Sequence, residues 1–250
     1  SVKCWGKNYV GQLGDGKSSF KTVTVSGISN AAEIGSGAQH SCARLVNGSV
    51  NCWGGDSWVG IDTSSNQFSP VTVDNISTAS QFSVGQYHTC ARLSNGTVKC
   101  WGSGSYGVLG NGSTSSSKTP VVVSGITTAQ QVSAGTRYTC AVLADKTVKC
   151  WGRNHNKQLG DGTTTDRSSS VTVSGVSNAS MVNLNSYRSN DYAFSCALLE
   201  NGSVQCWGRK SNGLLGDGKL GYKASPVSVS GLSSASQGDA SNHTCVVEGG

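Results

Sequence analysis

Three sets of residues in this 250-residue chain have types and spacings that could do chemistry. The first is glycine-rich. Gly-Gln-Leu-Gly-Asp-Gly-Lys-Ser at 11–18 fits a phosphate-binding loop letter for letter, and Gly-Ser-Gly-Ser-Tyr-Gly at 102–107 fits a dinucleotide fingerprint. Either loop needs a strand before it and a helix after it, so that a helix N-terminus faces the phosphate. The residues that follow the first, Phe-Lys-Thr-Val-Thr-Val at 20–25, read as a strand, and no helix follows the second. Both motifs are therefore expected to be structural turns. The second set is Asp15, Asp62, Asp161 and Asp217, with Asn111 in a fifth equivalent place. Such a ring could hold cations, but Asp before Gly is ordinary turn chemistry. The third is His40, His88 and His243, whose equivalents are Tyr138 and Phe194. A position that accepts Phe needs an aromatic body more than an imidazole. There is no Gly-x-Ser-x-Gly, no His-Glu-x-x-His and no acidic pair suited to glycoside hydrolysis. The expectation is a binding protein with no catalytic residues, no cofactor and no metal.

These sets recur because the chain itself recurs. Cys-Trp-Gly begins at Cys4, Cys52, Cys100, Cys150 and Cys206, at spacings of 48, 48, 50 and 56. Periods of this size mark solenoids or propellers. Each unit holds short β-rich runs bounded by Gly or Asn-Gly, and no segment shows helical periodicity over three turns. About four strands per unit matches a propeller blade. The sequence predicts an all-β, five-bladed propeller forming a single domain over residues 1–250. The ends add to this: His-Thr-Cys-Val-Val-Glu-Gly-Gly at 243–250 joined to Ser-Val-Lys-Cys-Trp-Gly at 1–6 makes one more copy of the unit. The N-terminal strand is thus expected to close the last blade and hide its edge.

All ten cysteines lie on the template. Cys42/Cys52, Cys90/Cys100, Cys140/Cys150 and Cys196/Cys206 are each ten positions apart, with a hairpin turn between them. Centring the first turn on Asn47 places Cys42 opposite Cys52, close enough to bridge. The fifth pair, Cys4/Cys245, forms only if the termini close. Zinc is the rival reading, but zinc sites bring close pairs together and each pair here stands alone on its blade. Disulfides imply an oxidising compartment, hence a secreted or cell-surface protein.

Composition narrows the class further. Charged residues are 13% of the chain and the formal net charge is +6, with no Lys/Arg block, which is weak support for nucleic acid binding. No apolar run is long enough for a membrane span. Termini meeting at one hairpin suit a module carried by a larger protein or assembly.

Cys-Trp-Gly-Lys-Asn-Tyr-Val-Gly-Gln-Leu-Gly-Asp-Gly at 4–16, Thr-Val-Ser-Gly-Ile at 24–28 and Gly-Ala-Gln-His-Ser-Cys-Ala at 37–43 resemble the repeat of the regulator of chromosome condensation family. Further copies start at Cys150 and Cys206, with a degenerate one at Cys52. The resemblance covers essentially the whole chain and implies a propeller. It implies function much less, because the fold hosts many unrelated binding roles. The nuclear members are seven-bladed exchange factors for a small GTPase that also bind chromatin. Five copies and paired cysteines argue against that role; the cysteine pairs bring the chain nearer to secreted bacterial members, one of which, also seven-bladed, inhibits β-lactamases through aromatic loops on one face.

By that analogy, partners meet the loops after each Trp-Gly and before each first cysteine. These contain Tyr9, Trp58, Tyr106 and His155 in the first series, and Tyr87, Arg137, Tyr187, Arg188 and Tyr192 in the second. From Val176 to Cys196 the fourth copy is six residues longer than its counterparts, and Trp58 is the one Trp outside Cys-Trp-Gly. Rigid aromatics and arginines beside small polar residues make a recognition surface. The expected partner is a cell-surface glycan stacked on Tyr9, Trp58 and Tyr106, as in an adhesin or fibre tip; the alternative is a protein, as for a secreted inhibitor.

Overall fold

The computed structural model describes residues 1–17, 21–185, 193–209, 213–240 and 244–248, with the side chains of 238–240 left aside. A half-blade comes first, β1 (Lys3–Cys4) paired with β2 (Val23–Thr24). Four complete antiparallel blades follow. The first is β3 (Ala31–Ser36), β4 (His40–Leu45), β5 (Val50–Gly54) and β6 (Gln67–Thr72). The second is β7 (Ala79–Val84), β8 (His88–Leu93), β9 (Val98–Gly102) and β10 (Ser117–Val122). The third is β11 (Ala129–Ala134), β12 (Tyr138–Leu143), β13 (Val148–Gly152) and β14 (Arg167–Thr172). The fourth is β15 (Ala179–Leu184), β16 (Phe194–Leu199), β17 (Val204–Gly208) and β18 (Lys223–Ser228). A second half-blade ends the chain, β19 (Ala235–Ala240) with β20 (Thr244–Glu248). The expected all-β blades are present.

Local chemistry sets each hairpin. Asn47 Oδ1 accepts from the Ser49 amide and hydroxyl, and Asn95, Asp145 and Asn201 do the same for Thr97, Thr147 and Ser203. These side chains fix the turn, and the next residue takes a left-handed conformation: Gly48 at φ 82°, Gly96 at 80° and Gly202 at 79°. In the third blade Lys146 occupies that place at φ 65°, where a Cβ is crowded against the following carbonyl. The hairpins put the cysteines directly opposite one another, and Cys42–Cys52, Cys90–Cys100, Cys140–Cys150 and Cys196–Cys206 form disulfides.

Neighbouring blades are joined by three devices. The Trp of each Cys-Trp-Gly in the four complete blades is buried against the blade before it. Trp101 shares a cluster with Cys42, Val50 and Cys52, Trp151 with Cys90 and Cys100, and Trp207 with Cys140 and Cys150. Each indole N–H also donates to a carbonyl in the preceding blade's loop: Trp53 to Gln12, Trp101 to Trp58, Trp151 to Val108 and Trp207 to Gln158. Amide clamps join the innermost strands. Gln81 bonds both the N–H and C=O of Val132, and Gln131 does the same to Val182.

The expected closure does not form. Among the described residues β1 pairs only with β2 and β20 only with β19, and Cys4 and Cys245 are free thiols. The reason is visible at the first blade. Ile34 on β3 is 61% exposed, whereas Phe82, Val132 and Val182 at the same register are 4%, 1% and 0% exposed, because another blade covers each of them. Trp5 of the first half-blade is 72% exposed where the other four template tryptophans are buried. The first half-blade packs Val2 and Val25 against Ala43 and Trp53, but among the described residues no inner strand pair continues it over Ile34, and Cys4 and Cys245 do not bond.

Candidate binding face

The motifs with catalytic spacing are accounted for by the framework. Residues 11–17 are turns and lead to β2, with no helix; Ser18 lies outside the described residues. Asp15, Asn111, Asp161 and Asp217 accept backbone N–H bonds from the residue two positions on, as turn residues do. Among the described residues no three His, Cys, Asp or Glu side chains group as a metal site would. His40 and His88 are buried, and their Nε2 atoms meet the hydroxyls of Thr89 and Thr139 in the next blade. Thr139 donates its own proton to the Val108 carbonyl, so His88 must be the donor to Thr139. Burial pulls the His40 pKa down to about 4; burial, then the nearby His40, pulls His88 down to about 3. Tyr138 fills the same register and donates to the Phe194 carbonyl at 2.5 Å, and Phe194 itself is fully buried. His243 lies outside the described residues.

The loops after each Trp-Gly and before each first cysteine lie on one face because they join β-strands at the same end of every blade. A backbone bond ties each pair together: Gly55 N–H to the Gln39 carbonyl, Ser103 to Tyr87, Arg153 to Arg137 and Arg209 to Ala193. On this face the structure brings together six of the nine expected residues. Tyr9, 74% exposed, and Tyr87 line a cavity of about 200 Å³ with Lys7, Gln39 and Gln86. Tyr87 lies 6.1 Å from the Trp58 ring, and Trp58 stacks on His40 at 6.3 Å. Tyr87, Tyr106 and Arg137 line the next cavity, about 350 Å³, with Ser103, Ser105 and Thr136. His155 meets Tyr106 edge-on at 6.2 Å, and its Nδ1 lies 3.2 Å from Asp166. Tyr187, Arg188 and Tyr192 lie outside the described residues.

Two features differ from the sequence reading. Trp58 is half-buried: its ring lies where a Cβ on Gly55 would collide with it and one on Gly102 would press on it, so it packs as well as presenting a surface. Arg153 was passed over, yet it is central. Its guanidinium carbon sits 5.2 Å from the Tyr106 ring centre, as does that of Arg137, whose Nη1 also donates to the Tyr106 hydroxyl at 2.9 Å. The available signal was the pairing of Gly152 with Tyr138 in the β-hairpin, which sets Arg153 beside Arg137.

Comparison with known proteins agrees with this architecture. The regulator of chromosome condensation (RCC1) repeat matches residues 95–142 in one form, and 31–57, 79–108, 129–158 and 192–214 in another. No curated protein sequence matches the chain. Human WBSCR16 superposes with a TM-score of 0.83 at 18% identity, over 99% of this chain and 67% of that one. Yeast RCC1 (Prp20), in its complex with Kap60, gives 0.79 at 17% over 98% and 63%. Prp20p from Saccharomyces cerevisiae, in a structure concerned with its binding to Gsp1p and histones, gives 0.73 at 19% over 98% and 65%. The chain therefore spans about two-thirds of the length of the structures it matches. Repeat, blade and inter-blade contacts together place the chain in the regulator of chromosome condensation repeat family, as a propeller with a disulfide in each of its four complete blades.

Proposed function

We propose that this chain is an exported recognition module that binds a protein partner through the ridge formed by Tyr9, Tyr87, Trp58, Tyr106, Arg137 and His155, and that it acts by binding rather than catalysis. The observation that carries this is the interleaving of aromatic rings and guanidiniums across neighbouring blades. Tyr, Trp and Arg are the residues that dominate protein–protein contacts, and an interface of ordinary size needs about 800 Å² from each partner. The four disulfides favour an oxidising environment and so support export. Related propellers are seen with Kap60 and in connection with Gsp1p and histones, so protein binding has precedent on this fold.

The glycan reading, with an adhesin or fibre-tip role, is the second choice. A sugar stacks on an open aromatic face. Tyr106 already has two guanidiniums and a His edge around its ring, and Trp58 has His40 against it. Of the three rings expected to stack a sugar, Tyr9, Trp58 and Tyr106, only Tyr9 is largely exposed. The test is cross-linking capture of extracellular proteins on the oxidised chain, beside a glycan array, each repeated with Tyr9→Ser and Tyr87→Ser. A discrete protein captured by the parent and lost in the variants, with unchanged melting temperature, is expected. A glycan signal lost in Tyr9→Ser, without any protein partner, would overturn the protein reading.

A further inference from the structure

We propose that Arg137 and Arg153, set around Tyr106, form a receptor for a carboxylate side chain, so that the partner inserts a Glu or Asp into the cavity lined by Tyr87, Ser103, Ser105, Tyr106 and Arg137. This rests on the protein-binding reading and names the chemistry of its anchor.

Three observations converge. The first is uncompensated charge. Arg44 pairs with Glu33 and Arg167 with Asp161, but neither Arg137 nor Arg153 forms an ion pair among the described residues. The acidic groups on the same loop are engaged elsewhere, Asp166 by the Asn154 N–H and His155, and Asp161 by Arg167. The second is unmet hydrogen bonding. Arg153 Nε and Nη1 are buried and have no acceptor. Burying such donors unpaired is costly, the more so on a cation, and a carboxylate accepts from the edge of a guanidinium with two oxygens at once. The third is shape and polarity. The cavity of about 350 Å³ has room for an acidic side chain; Arg137 lines it directly, and Arg153 adjoins it through the Tyr106 ring. Its Ser105 hydroxyl supplies a further donor and accepts from Ser103. The Tyr106 hydroxyl, already accepting from Arg137, has its own proton to give.

The framework holds this geometry before any ligand arrives. Arg153 N–H donates to the Arg137 carbonyl, which fixes the two loops side by side. Tyr106 is held at φ 65°, a left-handed conformation that directs its ring toward the next blade. The two like charges share one aromatic ring, whose face attracts cations and so makes their proximity tolerable. An arriving anion would neutralise a charge that the chain itself leaves unpaired.

The experiment uses the whole oxidised chain with arginine side-chain nitrogens labelled. The Nε–H resonances of Arg153 and Arg137 are followed by NMR while a capped Gly-Gly-Glu-Gly-Gly peptide is added. The Gln peptide and a phosphoserine peptide serve as comparisons. The expected result is a saturable shift of Arg153 Nε–H with the Glu peptide, at a Kd of millimolar order, and none with the Gln peptide. Arg153→Met should weaken binding on the order of tenfold, the loss of about 1.4 kcal/mol. Arg153→Lys, which keeps the charge but loses the fork, should weaken it as well and covers the case in which the Met variant fails to fold. Equal shifts with Glu and Gln peptides, no shift up to about 10 mM, or tighter binding of phosphoserine would each overturn the carboxylate assignment. No native partner is needed, so Glu-peptide binding without a captured protein would refute the broader reading alone. A captured protein without Glu-peptide binding would refute this one alone.

Discussion

His40 and His88 should make this propeller acid-sensitive well above the range where carboxylates titrate. Each ring is buried and neutral, with Nδ1 facing no partner, so a proton there has no acceptor to meet and no water to solvate it. Their folded-state pKa values, about 4 and about 3, lie below the ordinary 6.5. The unfolded chain therefore binds more protons than the folded chain throughout the interval between, and stability must fall as pH falls. Stability is full above about pH 6.5 and is lost progressively as pH drops toward the folded values. Between pH 7 and pH 5 each histidine contributes a loss of about 2 kcal/mol, so the pair accounts for about 4 kcal/mol. In a chain of this size that corresponds to about 8–16 °C in melting temperature. At Asp161 burial raises the carboxyl pKa, but hydrogen bonds from Thr163, Arg167 and Asn154 more than offset it, so it titrates below this window. The assay is urea unfolding at pH 7 and pH 5 of the parent and of the His40→Phe/His88→Phe double variant. Phenylalanine fits, because Phe194 fills the same register fully buried. The variant should be within about 2 kcal/mol of the parent at pH 7, since it loses two hydrogen bonds to threonine hydroxyls, and nearly flat to pH 5. A double variant that keeps the parent's acid loss would refute the assignment, as would a parent with no loss.

Titration of the denatured, unreduced chain should find two thiols; in the folded chain Cys245, exposed, should react promptly and Cys4, whose thiol pKa is raised by burial, slowly. No thiols at all would mean that the termini do close. Lys146→Gly should raise stability by about 1 kcal/mol, because it relieves the left-handed lysine at the cost of an exposed ion pair to Glu200 that contributes little; urea midpoints that fall or stay level would argue against strain there. Gln131→Leu should lower stability by about 2 kcal/mol, since it strands the N–H and C=O of Val182 between blades; the same unfolding measurement decides it, and no loss would show that the clamp is replaced by water.

The blades were legible because their determinants are local and repeated. Asn-Gly turns, cysteines ten apart and Cys-Trp-Gly each act within one hairpin, and each recurs often enough to be read as a rule. Ring closure was not legible. It depends on the angle between blades, which is set by how each tryptophan wedge and each Gln clamp seats on its neighbour, and no local motif records it. Joining residues 243–250 to 1–6 by pattern alone gave the count of five blades, but also a β1–β20 pairing and a fifth disulfide that do not form among the described residues. The grouping of Tyr9, Tyr87, Trp58, Tyr106, Arg137 and His155 was legible as loop positions on one face. The role of Arg153 was not, because its contact with Tyr106 spans two blades and exists only once the Gly152–Tyr138 register is known.

Trp58 explains why such a face can vary at all on a repeated framework. It stands where the other copies have Gln12, Val108 and Gln158, and all four residues do the same structural work: each offers its backbone carbonyl to the indole of the next blade. Only the carbonyl is required, so the side chain at this position is released from the template. The next residue is not released, and Leu13, Val59, Leu109 and Leu159 are all buried apolar. The loop is thus anchored by one backbone atom and one apolar side chain, joined in two copies by buried Asn8 and Asn154, whose Oδ1 atoms accept from the Leu13 and Leu159 N–H, while the other residues between that anchor and Trp-Gly differ in length and chemistry. Tyr9, Trp58, Tyr106 and Arg153 all fall in this released stretch or at its boundary. A unit built in this way can change what it recognises without disturbing the contacts that hold its blades together.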